Sequence, residues 1–279
     1  MSLSSSTLRS AFLACVAALP LANAQEPIRI VFQNGRAVPL SAVSLQGDKL
    51  NVTTAAEGFN AGQSFPLSTA DHIFGDKPSE INGAIALLLT DKPADAVKLL
   101  EPVLASQQIT AAIPGNYWLE AARAALVAYA VSGNTTKCTD IGKAISDATP
   151  AQGNDPFVAL GKALLLPIST PLADRETALR DLTTDNLPAD VCAYASFFRA
   201  KLLKGAKNDK DALEGYLSVT GLFPSGGMVL NGAASFNAAD ILAAQGRRDE
   251  AVALLNSSVS HSAGTLVAAE ANKRLESLK

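Results

Sequence analysis

The sequence predicts a mainly α-helical chain, an α-solenoid built from helical hairpins, with a small β module in front of it. Three observations lead to this fold class. Apolar residues make up 48% of the 279 residues, but aromatic residues only 5%. The hydrophobic period changes from 2 to about 3.6 after Pro78. Small residues then recur at a nearly constant interval, which is typical of stacked helical repeats.

The first 24 residues have the pattern of a secretory signal peptide. Arg9 precedes an apolar stretch over 11–22, and Ala22-Asn23-Ala24 fits a cleavage site. We therefore expect cleavage near Ala24 and a periplasmic or secreted mature protein. A buried N-terminal helix and a lipoprotein modified at Cys15 are the alternatives. Apolar residues continue past Cys15, which favours simple secretion over lipidation.

Residues 25–77 are predicted to form the β module. Its first β-branched run is followed by Asn34-Gly35, a pair typical of two-residue hairpin turns because both positions need positive φ. Four or five strands in about 50 residues predict a small barrel or sandwich that is marginal alone, so we expect it to dock onto the helices. The four or five strands are expected among the runs 28–32, 38–40, 43–45, 50–52, 65–67 and 72–74.

Residues 78–279 are predicted to be helical throughout. The breaks between helices are short and contain Gly, Pro, Asp or Asn, which end helices. The last helix is polar and is expected to cap the array. The predicted helices cover 79–90, 94–106, 116–132, 136–147, 156–166, 172–183, 189–205, 209–222, 230–245, 248–260 and 265–278.

The second helix of each pair carries a small residue where the two helices pack closely. The spacing of these residues along the chain tests whether the pairs repeat at a constant interval. The small residues are separated by 42, 40, 34 and 39 residues. A small residue lets the partner helix of a pair approach closely, and larger side chains fill the space that remains. The residues are Ala96, Cys138, Ala178, Ala212 and Ala251.

These helix pairs resemble the tetratricopeptide repeat family over about 200 residues. In the best match, Ala200 and Leu203 lie on the first helix, Ala212 and Tyr216 on the second, and Pro224 ends the unit. The resemblance implies a right-handed α-solenoid. It also implies that the first helices of successive repeats line a concave groove that binds a peptide or an extended protein segment.

The register of the best repeat yields the candidate binding residues. Two aromatic positions among them fit a packed core equally well, because helical spacing does not separate core from groove. The Lys/Asn clamp with which some family members bind a terminal carboxylate is not evident. The groove candidates are Glu120, Arg123, Tyr194, Phe197, Lys201, Lys204, Phe236 and Asp240.

Charge and motifs argue against several classes of protein. The net charge is −3 without a basic block, which argues against nucleic-acid binding. No apolar run reaches the roughly 20 residues that span a bilayer. The usual zinc, redox and nucleotide motifs do not occur, so neither a cofactor nor a metal is expected. His72 and His261 lie at opposite ends of the mature chain and have no supporting catalytic motif.

Cys138 and Cys192 are the cysteines that remain after signal cleavage. An exported compartment permits a disulfide between them. Two separate buried thiols are the alternative, and the spacing in the sequence does not decide between the two.

The leading functional hypothesis is an exported, non-enzymatic interaction or scaffold protein that binds a protein or peptide partner, for example within a cell-envelope assembly. The alternative is an envelope hydrolase acting on cell-wall glycan or peptide, with Glu120 beside Tyr117 and Trp118 as its candidate acid. A carrier of a small ligand between the two modules is a third hypothesis. The sequence does not determine the oligomeric state.

Overall fold

The computed structural model describes residues 25–149, 155–184 and 186–278. This part of the chain is mainly helical, with small antiparallel sheets at its N-terminal end. The predicted signal peptide, residues 1–24, lies outside the described residues. None of the helices in the described ranges is long and apolar enough to cross a membrane.

The β module consists of six short strands in two antiparallel sheets, one strand more than the upper number predicted. The sheets have the orders β2-β1-β6 and β3-β4-β5. The strands are β1 (Arg29–Phe32), β2 (Ala37–Pro39), β3 (Val43–Gln46), β4 (Lys49–Val52), β5 (Ser64–Pro66) and β6 (Ala70–Phe74).

Two similar corners connect the sheets. At each corner a Pro-Leu-Ser sequence leads from one strand, through a short 3-10 turn at Leu40–Ala42 or Leu67–Thr69, into the next strand. Pro39 and Pro66 share the same backbone angles, φ −59° and ψ 137°. Because β6 pairs with β1, the path through both sheets and both corners closes into a small barrel. The repeated Pro-Leu-Ser in the sequence marks both corners, which the pattern of hairpin turns does not identify.

The β module has its own aromatic core and packs onto the helical part. The rings of Phe32, Phe59 and Phe65 lie with their centroids 5.1, 5.5 and 5.7 Å apart. Ile113, which belongs to the helical part, is buried in the same cluster. The Ile73 amide also donates a hydrogen bond to the Pro114 carbonyl at 3.2 Å. The expected docking of the module is therefore present in the structure.

Eleven helices occupy the described residues after the β module, each within a few residues of its predicted position. They are α1 (Ser79–Leu89), α2 (Pro93–Gln107), α3 (Tyr117–Val131), α4 (Thr135–Ala148), α5 (Pro156–Leu164), α6 (Leu172–Arg180), α7 (Ala189–Gly205), α8 (Asp209–Leu222), α9 (Met228–Ala244), α10 (Arg248–His261) and α11 (Leu266–Ser277).

The first ten helices form five successive pairs, in which each odd-numbered helix packs against the helix that follows it. We call α1, α3, α5, α7 and α9 the inner helices, because each of them also contacts the next one in this row. The partners α2, α4, α6, α8 and α10 are the outer helices. At the contact between α7 and α8, an added Cβ on Gly215 would lie 2.9 Å from the Ala200 Cβ, so glycine permits this close approach.

The two ends of the inner row are in contact. Helix α1 packs against α9 and also against α11, and the Lys201 ammonium pairs with Asp91 just beyond α1. In an open solenoid each repeat contacts only its neighbours. The open solenoid expected from the sequence is therefore not confirmed. The physical reason lies in α1, whose residues Ile81, Ala86 and Leu88 are almost fully buried on different faces of the helix and so require neighbours on several sides.

Candidate functional site

A cleft of about 400 Å³ lies where the inner helices begin. Its walls come from the first turns of α3, α5, α7 and α9, together with Asn82 and Ile85 of α1 and Lys77 from the end of the β module. The segment Ser225–Gly227 leads into α9 along the rim. Five helices and the module boundary therefore meet around one opening, and its volume is within the usual range of ligand sites.

A buried ion pair holds Arg123, one of the residues that line the cleft. Asp155 is almost completely buried, and its Oδ2 accepts hydrogen bonds from Arg123 Nη2 at 2.7 Å and Nε at 3.1 Å. Its Oδ1 accepts from the Phe157 amide at 2.9 Å and caps α5. Asp190 Oδ2 lies 3.3 Å from Arg123 Nη1, so one guanidinium holds the starts of α5 and α7 against α3.

A second ion pair joins the cleft to the β module. Lys77 Nζ lies 2.9 Å from Glu120 Oε1, and both side chains are partly exposed. One turn earlier on α3, the Tyr117 hydroxyl donates to the Gly75 carbonyl at 2.6 Å. These contacts fix the end of the β module at the rim, so the module contributes a charged residue to the cleft.

Tyr194 and Phe157 are buried aromatic residues that line the cleft, and Tyr194 carries a hydroxyl. Only 6% of Tyr194 is exposed, and its ring packs edge-on against Phe157 and parallel to Phe198. Burial raises the pKa of the Tyr194 hydroxyl well above its ordinary value, and the charges of Glu120 and Asp190 raise it further. The hydroxyl therefore keeps its proton and can donate a hydrogen bond, and among the described residues it has no hydrogen-bond partner.

The structure brings three of the eight predicted groove residues together. Glu120, Arg123 and Tyr194 line this cleft. Phe197, one turn beyond Tyr194, does not: it is fully buried and packs edge-on against Tyr216 and Phe198. Phe197 is thus a core residue, as the alternative interpretation of the sequence had it, because its side chain points toward α8.

The other four predicted residues lie away from the cleft. Lys201 pairs with Asp91, and Lys204 Nζ lies 2.9 Å from Asp209 Oδ1. Phe236 lines a smaller recess beside Asp91, and Asp240 pairs with Arg274 at 2.7 Å. They occupy later turns of α7 and α9, so their distance along the helices separates them from the cleft at the helix starts.

The two cysteines are not joined. Cys138 and Cys192 are both thiols, buried on α4 and α7 respectively. The Cys192 thiol donates to the Thr184 carbonyl at 3.5 Å, and burial raises the pKa of the Cys138 thiol. The disulfide that the sequence left open is therefore absent, because each sulfur is packed into its own part of the helical core.

Neither histidine lies in the cleft. His72 is exposed beside Asp71, with 2.8 Å between Nδ1 and Oδ2. His261 Nδ1 lies 2.8 Å from the Ser257 carbonyl oxygen one turn earlier on α10. No group of three or more His, Cys, Asp or Glu residues that could hold a metal ion occurs in the described part of the chain.

Sequence reasoning missed Lys77, Asn82, Asp190 and the start of α9 as parts of the cleft, and Asp155 as the buried partner of Arg123. Asp155-Pro156 was a usable signal, since an Asp followed by Pro is typical of a helix start. Asp190, in the first turn of α7, was another. Both become informative only when the helix starts are known to meet.

Comparison with protein-family models, curated proteins and solved structures finds no match for this chain. The resemblance to tetratricopeptide repeats therefore rests on the residues of the chain alone.

Proposed function

We propose that the protein is an exported, non-enzymatic binding protein that takes a short segment of a protein or peptide partner into the cleft. The observation that carries the proposal is that Tyr194, a buried residue whose hydroxyl has no hydrogen-bond partner among the described residues, lines an opening of about 400 Å³. A buried polar group without a partner costs free energy unless a ligand or water satisfies it. The cleft is therefore best explained as a site that is completed by a bound molecule.

The shape of the helical part favours a short segment over a long one. The inner helices close on each other, so their row offers an opening at one end rather than an extended groove. We propose that the tetratricopeptide-like pairs act as a scaffold for this opening, and that the partner belongs to a cell-envelope assembly. The proposed export is checked by sequencing the N-terminus of the protein recovered from its compartment, which is expected to begin at Gln25.

The hydrolase hypothesis has weaker support from the same geometry. A general acid must carry a proton in the ground state. The Glu120 carboxylate is instead paired with the Lys77 ammonium, with 2.9 Å between Oε1 and Nζ. Asp155 and Asp190 are likewise paired with Arg123. Activity of the purified protein on cell-wall material that disappears in Glu120→Gln would replace the binding proposal with this alternative.

The binding proposal is tested by selecting peptides from a random library on the purified protein. Met228 is 65% exposed at the rim of the cleft, so Met228→Trp is expected to block the opening without disturbing the core. Leu222→Trp makes a comparable change at a site that is 70% exposed and does not line the cleft. Affinities of the selected peptides are then measured by isothermal titration calorimetry.

We expect the selected peptides to bind the wild type and Leu222→Trp equally well, and Met228→Trp at least about tenfold more weakly. Equal affinity for all three proteins would place the peptide elsewhere and contradict the proposal. Failure to select any peptide on correctly folded protein would contradict it as well.

A further inference from the structure

At the N-terminus of α9, unlike at the starts of α3, α5 and α7, no side-chain oxygen accepts a hydrogen bond from a first-turn amide. The N-cap of α9 is Gly227, which has no side chain, and its first turn contains no acidic residue. The amides of Met228, Val229 and Leu230 are the first three donors of the helix and so have no intrahelical acceptor. All three residues line the cleft.

At the neighbouring helix starts, side-chain oxygens already accept hydrogen bonds from first-turn amides. On α3, the Asn116 side chain accepts from the Leu119 amide at 2.8 Å. On α5, Asp155 accepts from Phe157. On α7, Asp190 accepts from the Val191 amide at 2.8 Å. The partial positive charge of α9 is therefore the one among these four that the chain leaves without its own compensation.

Tyr194 provides an independent indication of a ligand at the same place. The residue is more than nine-tenths buried and lines the same cleft as the start of α9, and its hydroxyl has no hydrogen-bond partner among the described residues. Helix α7 packs against the segment Pro224–Gly226 that leads into α9. An added Cβ on Gly226 would lie 2.3 Å from the Ala193 Cβ, immediately before Tyr194 in the chain. The hydroxyl and the three amides are thus donors on adjoining walls.

The charged side chains at the cleft are paired with one another. Glu120 is paired with Lys77, and both Asp155 and Asp190 are paired with Arg123. These three carboxylates are thus held by cations and by helix starts. The Asn82 side chain, half-buried on the α1 wall, has no hydrogen-bond partner in the described structure and adds another donor. The Asn82 amide and the first-turn amides of α9 are therefore donors at the cleft without a side-chain acceptor in the described structure.

We propose that the start of α9 and the Tyr194 hydroxyl form an oxyanion site, which binds a carboxylate or phosphate group of the molecule in the cleft. This inference rests on the proposed function, since it names the chemistry by which the same cleft holds its ligand. The amides of residues 228–230 bind the oxygens of the group, the helix dipole stabilises its charge, and Tyr194 donates a further hydrogen bond.

The test titrates the full chain with inorganic phosphate and with acetate at constant ionic strength, following backbone amides by NMR. We expect the amides of residues 228–230 to shift with saturation for at least one of the two probes. A stronger response to phosphate identifies a phosphate group as the ligand feature, and a stronger response to acetate a carboxylate. Methylammonium, the matched cationic probe, is expected to leave these amides unshifted.

Three variants localise the effect. Met228→Glu places a carboxylate in the first turn of α9 and is expected to weaken binding of the anionic probe by at least about tenfold. Leu222→Glu makes the same change in charge outside the cleft and is expected to leave binding unchanged. Tyr194→Phe removes only the hydroxyl and is expected to weaken binding by about tenfold. Circular dichroism confirms that each variant is folded.

The results separate this inference from the proposed function. Absence of saturable shifts at residues 228–230, or equal weakening by Met228→Glu and Leu222→Glu, overturns the oxyanion site. Selected peptides that still bind Met228→Glu as tightly as the wild type overturn it too, and leave peptide binding in the cleft standing. Saturable binding of phosphate or acetate without any selected peptide supports the oxyanion site and overturns the proposed peptide ligand.

Discussion

The inner and outer helices of this protein bury their residues in different ways. In α9, eleven of the seventeen residues are buried, and they lie on all sides of the helix. In α10, its outer partner, three of the fourteen residues are buried, at Ala251, Leu255 and Ser258. The same spacing of four and then three residues recurs in α4 at Cys138, Gly142 and Ile145. The outer helices thus bury a single stripe, and inner helices such as α9 are enclosed.

The difference explains where a ligand can bind. An open solenoid leaves one face of each first helix exposed to line a groove. Here α1, α3, α7 and α9 carry buried residues on several faces, because the row closes through the contact between α1 and α9. The sides of the inner helices are therefore occupied by packing, and the accessible cleft lies at their starts.

Truncating a side chain of an inner helix is the strongest test of this difference. Phe197→Ala leaves a cavity between α7 and α8 and is expected to lower the free energy of unfolding by about 3–5 kcal/mol. Leu217→Ala, at a partly exposed site on the outer helix α8, is expected to cost less than about 1 kcal/mol. Urea unfolding of both variants measures the two values. Similar losses would show that the inner row is not enclosed as described.

Removing the buried Asp155 carboxylate, the partner of Arg123, is expected to have the next largest effect on the free energy of unfolding. Asp155→Ala leaves Arg123 with only the longer contact to Asp190 and removes the cap of α5, at a cost of about 3 kcal/mol. Asp155→Asn keeps a capping oxygen and is expected to cost about half as much. Thermal and urea unfolding measure both. Equal losses in the two variants would contradict a separate contribution of the ion pair.

The stability of the protein at alkaline pH tests the burial of one tyrosine on an inner helix and of another on an outer helix. Burial raises the pKa of both Tyr194 and Tyr216 above the value of about 10 in an unfolded chain. The folded state thus keeps protons that the unfolded chain releases, and stability is expected to fall as the pH rises above about 10, by about 1.4 kcal/mol per pH unit for each tyrosine. Urea unfolding at a series of pH values measures this slope. Tyr216→Phe is expected to reduce it, and an unchanged slope would contradict the assignment.

The reactivity of the two thiols is expected to show the smallest effect, and measuring it requires no substitution in the protein. Cys138 on an outer helix and Cys192 on an inner helix are both buried, so both are expected to react slowly with a thiol reagent in the folded protein and rapidly in denaturant. Without a reducing agent, the unfolded protein is expected to release two reactive thiols if residues 1–24 have been removed and three if they have not. Absence of the Cys138 and Cys192 thiols would indicate a disulfide.

Part of the cleft could be predicted from the sequence because it depends on repeat register. Glu120 and Arg123 occupy the first turns of α3, and Tyr194 the corresponding part of α7, so placing the first helices side by side brings them together. The contribution of Lys77 could not be predicted in this way. It reaches Glu120 across 43 residues only because the β module docks beside α3.

The failure at Phe197 has a different cause. Helical spacing identifies which residues share a face of α7, but it does not say what packs against that face. The aromatic contact with Tyr216 decides this, and it depends on the close approach of Ala200 and Gly215. The disulfide was undecidable for the same reason, because it required the positions of α4 and α7 in space.

The sequence by itself determined the elements: the strands of the β module, the eleven helices and the small residues where paired helices approach. Hydrophobic period, turn residues and helix-ending residues act over a few positions, so they can be read locally. The tertiary structure decided that the inner row closes and that its helix starts, together with Lys77, surround one cleft. These features arise from contacts between residues far apart in the chain, such as the packing of α1 against α9, and local patterns do not specify which distant surfaces meet.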